Sequence, residues 1–283
     1  MFRSFAFHAD GESHVRLNKP CQDYSENYDG NGYHIVAIAD GHGGAKYFRS
    51  DVGARIACTI GIRCIKSCMS KKTFTNKFIN HEITEDEKEQ AIVQLEEAII
   101  SQWGESIRKD KEKNPFIDDE LVVFDEAERE FVKNDFNYAA KAYGTTLLLG
   151  VICDDFWFGI HIGDGTFVTI TETFEFKQPI SLDERCVGNY VTSICDSNAI
   201  KYFHHNWGIE PLRAIILATD GIDESFKSEQ SFYDFYRKVV ENAVLDFDGT
   251  VRDLEEYLPT LSKMGSRDDV SIAGVVRIDA QAV

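Results

Sequence analysis

Tyr33-His34-Ile35-Val36-Ala37-Ile38-Ala39-Asp40-Gly41-His42-Gly43-Gly44 is the stretch on which the reading of this chain turns. Its first seven residues are nearly all apolar and stop abruptly at a carboxylate followed by a flexible turn. That is how a strand delivers its last side chain to an open loop. Upstream, Asp29-Gly30-Asn31-Gly32 supplies the turn that enters the strand. Downstream, Ala45, Phe48, Val52, Ile56 and Ile60 recur at intervals of three and four, which predicts a helix. A second helix is expected from Thr84, because Thr84-Glu85-Asp86-Glu87 is a capping box, with Ile92, Leu95, Ile99, Trp103 and Ile107 as its buried stripe. Two long helices covering one face of a sheet is the structure this region implies.

Further out, Phe2 to Phe7 alternates as a strand does. Thr145 to Cys153, Phe156 to Ile162 and Phe167 to Glu172 read as an antiparallel meander, turned at Asp154-Asp155 and at Gly163-Asp164-Gly165. Leu212 to Thr219 runs into Asp220-Gly221, Phe232 to Val244 reads as a helix, and Val270 to Val276 as the last strand. Asn114 to Asn137 is acidic and irregular and reads as an inserted loop or flap, bounded at about 111–140. His204-His205-Asn206-Trp207 reads as a polar loop, since adjacent histidines on a strand point to opposite faces and cannot share an ion. With no linker and no repeat, a single α+β domain over residues 1–283 is expected.

Composition narrows the class. Hydrophobic residues make up 43% and charged residues 28% of 283, with 20 Gly and 5 Pro, which excludes collagen-like, low-complexity and disordered chains. No apolar run approaches the roughly 20 residues of a membrane helix. The start of the chain lacks a signal-peptide core, so a cytoplasmic protein is expected. Thirty basic against 48 acidic residues give a formal charge of −18, which disfavours nucleic acid and anionic membrane as partners. Residues 82–130 hold 17 acidic and 6 basic side chains, read as a solvated helical face or as a partner-docking surface. The seven cysteines are scattered and form no C-x-x-C pair; Cys58, Cys64 and Cys68 read as small buried apolar residues of one helix. A reducing compartment and a monomer are expected.

One event repeats along the chain: an apolar strand runs into an aspartate beside a flexible turn. It happens at Ala39-Asp40-Gly41, Ile162-Gly163-Asp164-Gly165 and Thr219-Asp220-Gly221, and Asp268-Asp269 directly precedes the last strand. Any single Asp-Gly reads equally well as a turn pair. Four sites sharing the pattern point instead to a carboxylate cluster for hard divalent cations, which need oxygen ligands in fixed directions. Gathered without a cation, such carboxylates repel one another.

The series Pro20-Cys21-Gln22-Asp23, Asp40-Gly41-His42-Gly43-Gly44, Tyr143-Gly144-Thr145-Thr146, Gly163-Asp164, Thr219-Asp220-Gly221 and Ser266-Arg267-Asp268-Asp269-Val270-Ser271 resembles the type 2C metal-dependent Ser/Thr protein phosphatases. The motifs come in that family's order and span nearly the whole chain. Gly11-Glu12-Ser13-His14 and Cys21-Gln22-Asp23 look like its compact bacterial branch. The resemblance implies two mainly antiparallel β-sheets packed face to face and flanked by helices, an αββα sandwich, with two Mn²⁺ or Mg²⁺ ions at one edge. By motif match Asp40 would bridge both ions, and Asp220 and Asp268 would complete the first. The Gly41 carbonyl, with the carboxylate of Asp23 or the neighbouring Gln22, would serve the second. Asp164 and Glu224 fall at a weaker third ion, with Asp223 the alternative to Glu224. The implied reaction is hydrolysis of phosphoserine or phosphothreonine in a phosphorylated protein by a water bridging the two ions, with His42 as general acid.

Three positions depart from the family pattern. Gln22 stands where many members have glutamate. Asn18 stands where better-known members have a phosphate-binding arginine, which leaves Arg16 as the nearest substitute or as an exposed strand residue. Asp269 stands where asparagine is usual, and Asp268 is taken as the ligand because Val270-Ser271 fixes the register. A catalytically inactive, regulatory member is the rival reading; retention of Asp40, Asp220 and Asp268 favours the enzyme. Val244-Leu245-Asp246-Phe247-Asp248-Gly249-Thr250-Val251 resembles the nucleophile motif of haloacid-dehalogenase-like phosphatases. It follows a helix rather than a strand, and only 33 residues lie beyond Thr250, so that match is read as coincidence. No G-x-x-x-x-G-K loop supports a kinase.

Overall fold

In the computed structural model, which describes residues 1–80, 82–188 and 190–278, the strand at Tyr33–Asp40 is buried on both sides. Ile35, Ala37 and Ala39 meet helices, while Val36 and Ile38 meet a second sheet. Two-sided burial is the physical reason this run is apolar at every position instead of alternating. In chain order the elements are β1 (Phe2–Ala9), α1 (Glu12–Leu17), β2 (Asp23–Asp29), β3 (Tyr33–Asp40), α2 (Ser50–Met69), α3 (Lys72–Ile79), α4 (Glu85–Lys113), α5 (Glu126–Asn134) and α6 (Phe136–Lys141). They continue with β4 (Leu147–Cys153), β5 (Trp157–Ile162), β6 (Thr166–Thr171), β7 (Phe176–Lys177), β8 (His204–Gly208), β9 (Leu212–Ala218), α7 (Asp220–Asp223), α8 (Glu229–Leu245), α9 (Phe247–Met264) and β10 (Val270–Arg277).

Two five-stranded antiparallel sheets result, ordered β2-β3-β4-β5-β8 and β1-β10-β9-β6-β7. The layer between them is filled by Val36, Ile38, Leu148, Ile152, Ile215, Leu217, Ala273 and Val275. α2 and α4 cover the outer face of the first sheet, and α8 and α9 that of the second. The expected α+β sandwich of four layers is therefore present. Thr84 caps α4 with both halves of the capping box formed, and Ile92, Leu95, Ile99, Trp103 and Ile107 are all buried.

Several expectations give way to a different local structure. The meander breaks after β5: the Gly163–Gly165 turn crosses from one sheet to the other, where β6 pairs with β9 and β7. The first helix begins at Ser50, not Ala45, and its buried side runs through Ala54, Ala57, Cys58, Gly61 and Ile65. The supposed flap at 111–140 is mostly helical. α4 continues through Lys113, and α5 and α6 follow a turn whose Leu121 and Phe124 form a small core with Val132 of α5. His204 and His205 lie on edge strand β8, with His205 Nδ1 2.8 Å from the buried carboxylate of Glu96. Arg16 lies on helix α1, and β2, α1, α3 and α9 were not expected, although Phe247, Val251, Leu254, Leu258 and Leu261 recur at three and four along α9. The Val244–Val251 run spans the α8–α9 junction, where Asp246 accepts from the Gly249 N–H as the α9 N-cap.

α2 passes so close to the loop before β4 that only glycine fits at one crossing. A Cβ on Gly53 would stand 1.9 Å from the carbonyl oxygen of Tyr143, while Trp103 Nε1 donates to the Gly53 carbonyl at 3.1 Å. Gly53→Ala should gain about 1 kcal/mol of helix propensity. It should lose more by forcing backbone apart, for a net destabilisation of about 1–3 kcal/mol. The urea midpoint should fall accordingly.

Candidate active site

Each acidic residue of the repeated pattern is carried to the same rim of the sandwich. Asp40 ends β3 opposite Asp23 of β2. Its N–H donates to Thr146 Oγ1 at 2.9 Å, and its carbonyl accepts from the Thr145 hydroxyl at 2.8 Å and the Thr146 N–H at 2.9 Å. The Gly144-Thr145-Thr146 motif is thus a backbone clamp on Asp40. Gly41 N–H donates to the Gln22 carbonyl and His42 N–H to that of Gly144, at 3.0 and 3.1 Å. A Cβ on Gly41 would lie 2.6 Å from the Gln22 oxygen, so this crossing also requires glycine. Asp220 opens α7 just past β9, Asp164 sits in the crossover between β5 and β6, and Asp268 precedes β10.

Together they line a cleft of about 670 Å³. Asp40, Asp164 and Asp220 bring carboxylate oxygens within 4.8 Å of one another. Burial, followed by the charge of neighbouring aspartates, pushes the Asp40 carboxyl well above the usual carboxylate range. Burial raises Asp220 as well, and Asp164 is pushed up to about 6, first by burial and then by Asp220. Against this acidity Lys19 is the only lysine or arginine among the described residues lining the cleft. A set of carboxylates raised together with one lysine to offset them fits divalent cations, whose charge would return each group to its ionised form.

The other expected residues divide. Asp23 is 4% exposed and accepts from the Thr219 hydroxyl at 2.8 Å, so its carboxylate lies behind the cleft wall. Glu224 is exposed and is not among the described residues lining the cleft. Asp223 is no better placed, because its oxygens accept from the hydroxyls of Thr166 and Tyr236. The Arg16 guanidinium pairs with Glu12 on its own helix at 2.9 Å and is not brought to the cleft. Gln22 points its amide nitrogen at the His42 carbonyl, 3.0 Å away, and so fastens the loop that follows β3. His42 lines the cleft against Tyr47, ring centroids 4.9 Å apart, and burial lowers its pKa to about 4.

Sequence reading missed three contributors. Asp269 is buried and ties two segments to β10: His14 Nδ1 of α1 lies 2.8 Å from it, and the N–H groups of Gly11, the α1 N-cap, and Gln22 donate to it at 2.6 Å. That fixes Asp268 toward the cleft and accounts for the carboxylate at position 269. The available signal was the acid at 269, where asparagine is usual in the family. Lys19 lines the cleft where Arg16 does not, a consequence of the left-handed turn that ends α1 at Asn18, φ 52°. The third contributor is the loop containing Tyr190, Val191, Ser193 and Asp196, which forms part of the cleft wall and carries no periodic signal.

Comparison with known proteins gives a consistent picture. The family model described as Protein phosphatase 2C matches residues 10–258. No curated protein matches the sequence. Among solved structures, the catalytic domain of the serine/threonine protein phosphatase PstP, in complex with two manganese ions, is 16% identical with a TM-score of 0.57, covering 98% of this chain and 99% of that one. The serine/threonine phosphatase of S. agalactiae is 17% identical at TM-score 0.55, covering 99% and 100%. PppA of Pseudomonas aeruginosa, described as a key regulatory component of T6SS, is 14% identical at 0.55, covering 97% of each chain. These likenesses establish the fold. Among the described residues no helix is long and apolar enough to cross a membrane.

Proposed function

The chain is a protein phosphatase, since it belongs to the protein phosphatase 2C family, and from that premise we propose that it hydrolyses phosphoserine and phosphothreonine in proteins with the help of two Mn²⁺ or Mg²⁺ ions. The observation that carries the reading is the convergence of Asp40, Asp164 and Asp220, with Asp268 alongside, on one cleft. Asp40 would serve both ions, Asp220 and Asp268 the first, and the Gly41 carbonyl the second. Asp23 would act on that second site from behind, through its contact with the strand that delivers Asp40. Asp164 suits a third, weaker position, and Glu224 only through water. Bound there, the cations supply a readily deprotonated water and offset phosphoryl charge.

The protein's own part is positional and protonic. The clamp from Thr145 and Thr146 holds Asp40 against movement when charge arrives, so little reorganisation accompanies the reaction. Lys19 faces the phosphoryl group as the cation that Asn18 cannot be. His42 holds a proton for the departing serine or threonine oxygen. A phosphoryl dianion beside its ring favours the imidazolium and so opposes the depression caused by burial.

Two measurements check this reading. Hydrolysis of p-nitrophenyl phosphate and of a phosphothreonine peptide should vanish in EDTA and return with Mn²⁺; turnover that is indifferent to EDTA would sink the metal-dependent reading. Lys19→Ala should raise KM for the phosphopeptide about tenfold, while Arg16→Ala stays within about twofold. The reverse ranking would restore the phosphate role to Arg16.

A further inference from the structure

The mouth of this acidic cleft is edged by large apolar side chains that the fold does not need to expose. Leu17, at the end of α1, lines the cleft on one side and is 65% exposed. Tyr190, from a segment far along the chain, also lines it and is 54% exposed. Val187, 71% exposed, exchanges both backbone hydrogen bonds with Tyr190, at 3.1 and 3.2 Å. Directly opposed residues of such a pair project their side chains to the same face, so Val187 and Tyr190 form one apolar edge.

The edge is propped from below. The buried carboxylate of Asp183 accepts from the Arg185 N–H at 3.0 Å, Arg185 Nε at 2.7 Å and the Thr192 hydroxyl at 3.2 Å. Cys186 Sγ donates to the carbonyl of Gly163 at 3.5 Å, tying the loop to the turn that carries Asp164. A loop braced at its base in this way holds its tip, with two large apolar residues, beside the metal-binding carboxylates. Side chains scattered singly over a surface need no explanation, but exposed apolar residues from two separate segments meeting at one polar cleft do.

We propose that Leu17, Val187 and Tyr190 form an apolar vice that selects phosphorylated segments with large aliphatic or aromatic residues beside the phosphoresidue. The inference rests on the phosphatase reading of the cleft and adds its substrate class. The phosphoryl group enters among the carboxylates and their cations, and the neighbouring side chains lose water against the two edges. Acidic neighbours would instead meet Asp196, which lines the same opening, so they are selected against.

The test compares kcat/KM, with Mn²⁺ present, for phosphothreonine peptides whose flanking positions carry Leu or Phe, Ala, or Glu. Wild type should prefer the apolar peptide over the Ala peptide by about tenfold, the low end expected for a hydrophobic subsite because this one is half open. The Glu peptide should be the poorest. In Leu17→Ser and Tyr190→Ser the ratio of apolar to Ala peptide should fall toward one, whatever the absolute rates. Equal kcat/KM across the wild-type series, or a preference unchanged in both variants, overturns the proposal. Turnover of p-nitrophenyl phosphate by the wild type separates the two levels: if it is present while the peptides are treated alike, the vice is wrong and the phosphatase stands. If it is absent, the phosphatase reading itself has failed.

Discussion

Asp40→Asn and Asp220→Asn should each lose hydrolysis of every phosphate ester by a factor of about 10³ or more. A metal pair at this site is asked for several kcal/mol of barrier lowering, and each 1.4 kcal/mol is tenfold in rate. Stability should move the other way in the metal-free protein. Burial and neighbouring charge hold the Asp40 carboxyl well above its usual range, so the ionised group is a burden on the fold at neutral pH. An uncharged amide of the same shape removes that burden, and metal-free Asp40→Asn should melt higher than metal-free wild type. Saturating Mn²⁺ reverses the order, since a ligand at about 100 times its Kd adds about 2.7 kcal/mol to the wild type alone. Calorimetry with and without Mn²⁺ reads both effects. A variant that keeps its turnover, or one that binds Mn²⁺ as wild type does, would remove Asp40 from the metal site.

His42→Ala should discriminate between leaving groups. Nitrophenolate leaves without a proton, whereas the alkoxide of serine or threonine does not. The expected loss is about 10²–10³-fold on a phosphothreonine peptide and below about tenfold on p-nitrophenyl phosphate. The pH dependence has a definite sign. A general acid works in its protonated form, and burial lowers the free His42 to about 4. The protonated fraction therefore falls as pH rises, and kcat for the peptide should decline on the alkaline side of the imidazole pKa reached in the substrate complex. That limb should be missing in His42→Ala. Equal losses on both esters would give His42 a positioning role through its contact with Tyr47.

Much of what could be read from the sequence followed from how strongly each element repeats; α9, regular at Phe247, Val251, Leu254, Leu258 and Leu261, is the exception. β3, β4, β9 and β10 are apolar at nearly every position because two layers bury them, and the capping box at Thr84 marks α4 to the residue. The aspartates were legible for the same reason, as abrupt ends to those runs. β2 was not, because Asp23-Tyr24-Ser25-Glu26 presents a polar strand whose burial depends on partners far along the chain. The exchange of sheets after β5 was equally hidden, since a glycine turn that reverses a strand and one that sends it to another layer look alike. Lys19 and Arg16 could be told apart only by where α1 ends. Val187 and Tyr190 are spaced by a turn rather than a period, and nothing in the order of residues announces that Tyr190 lines a cleft.

The carboxylates do not all come from one sheet. Asp40 extends from β3, whereas Asp220 and Asp268 flank β9 and β10 of the other sheet, and Asp164 stands on the chain that passes between them. An ion held by this set would clasp the seam of the sandwich. Its ligands would come together only when the two sheets lie in correct alignment, so such a centre would act as a gauge of how they slide over one another. Repacking the side chains in that seam, with every ligand left in place, would reach the chemistry by shifting one half of the coordination sphere relative to the other.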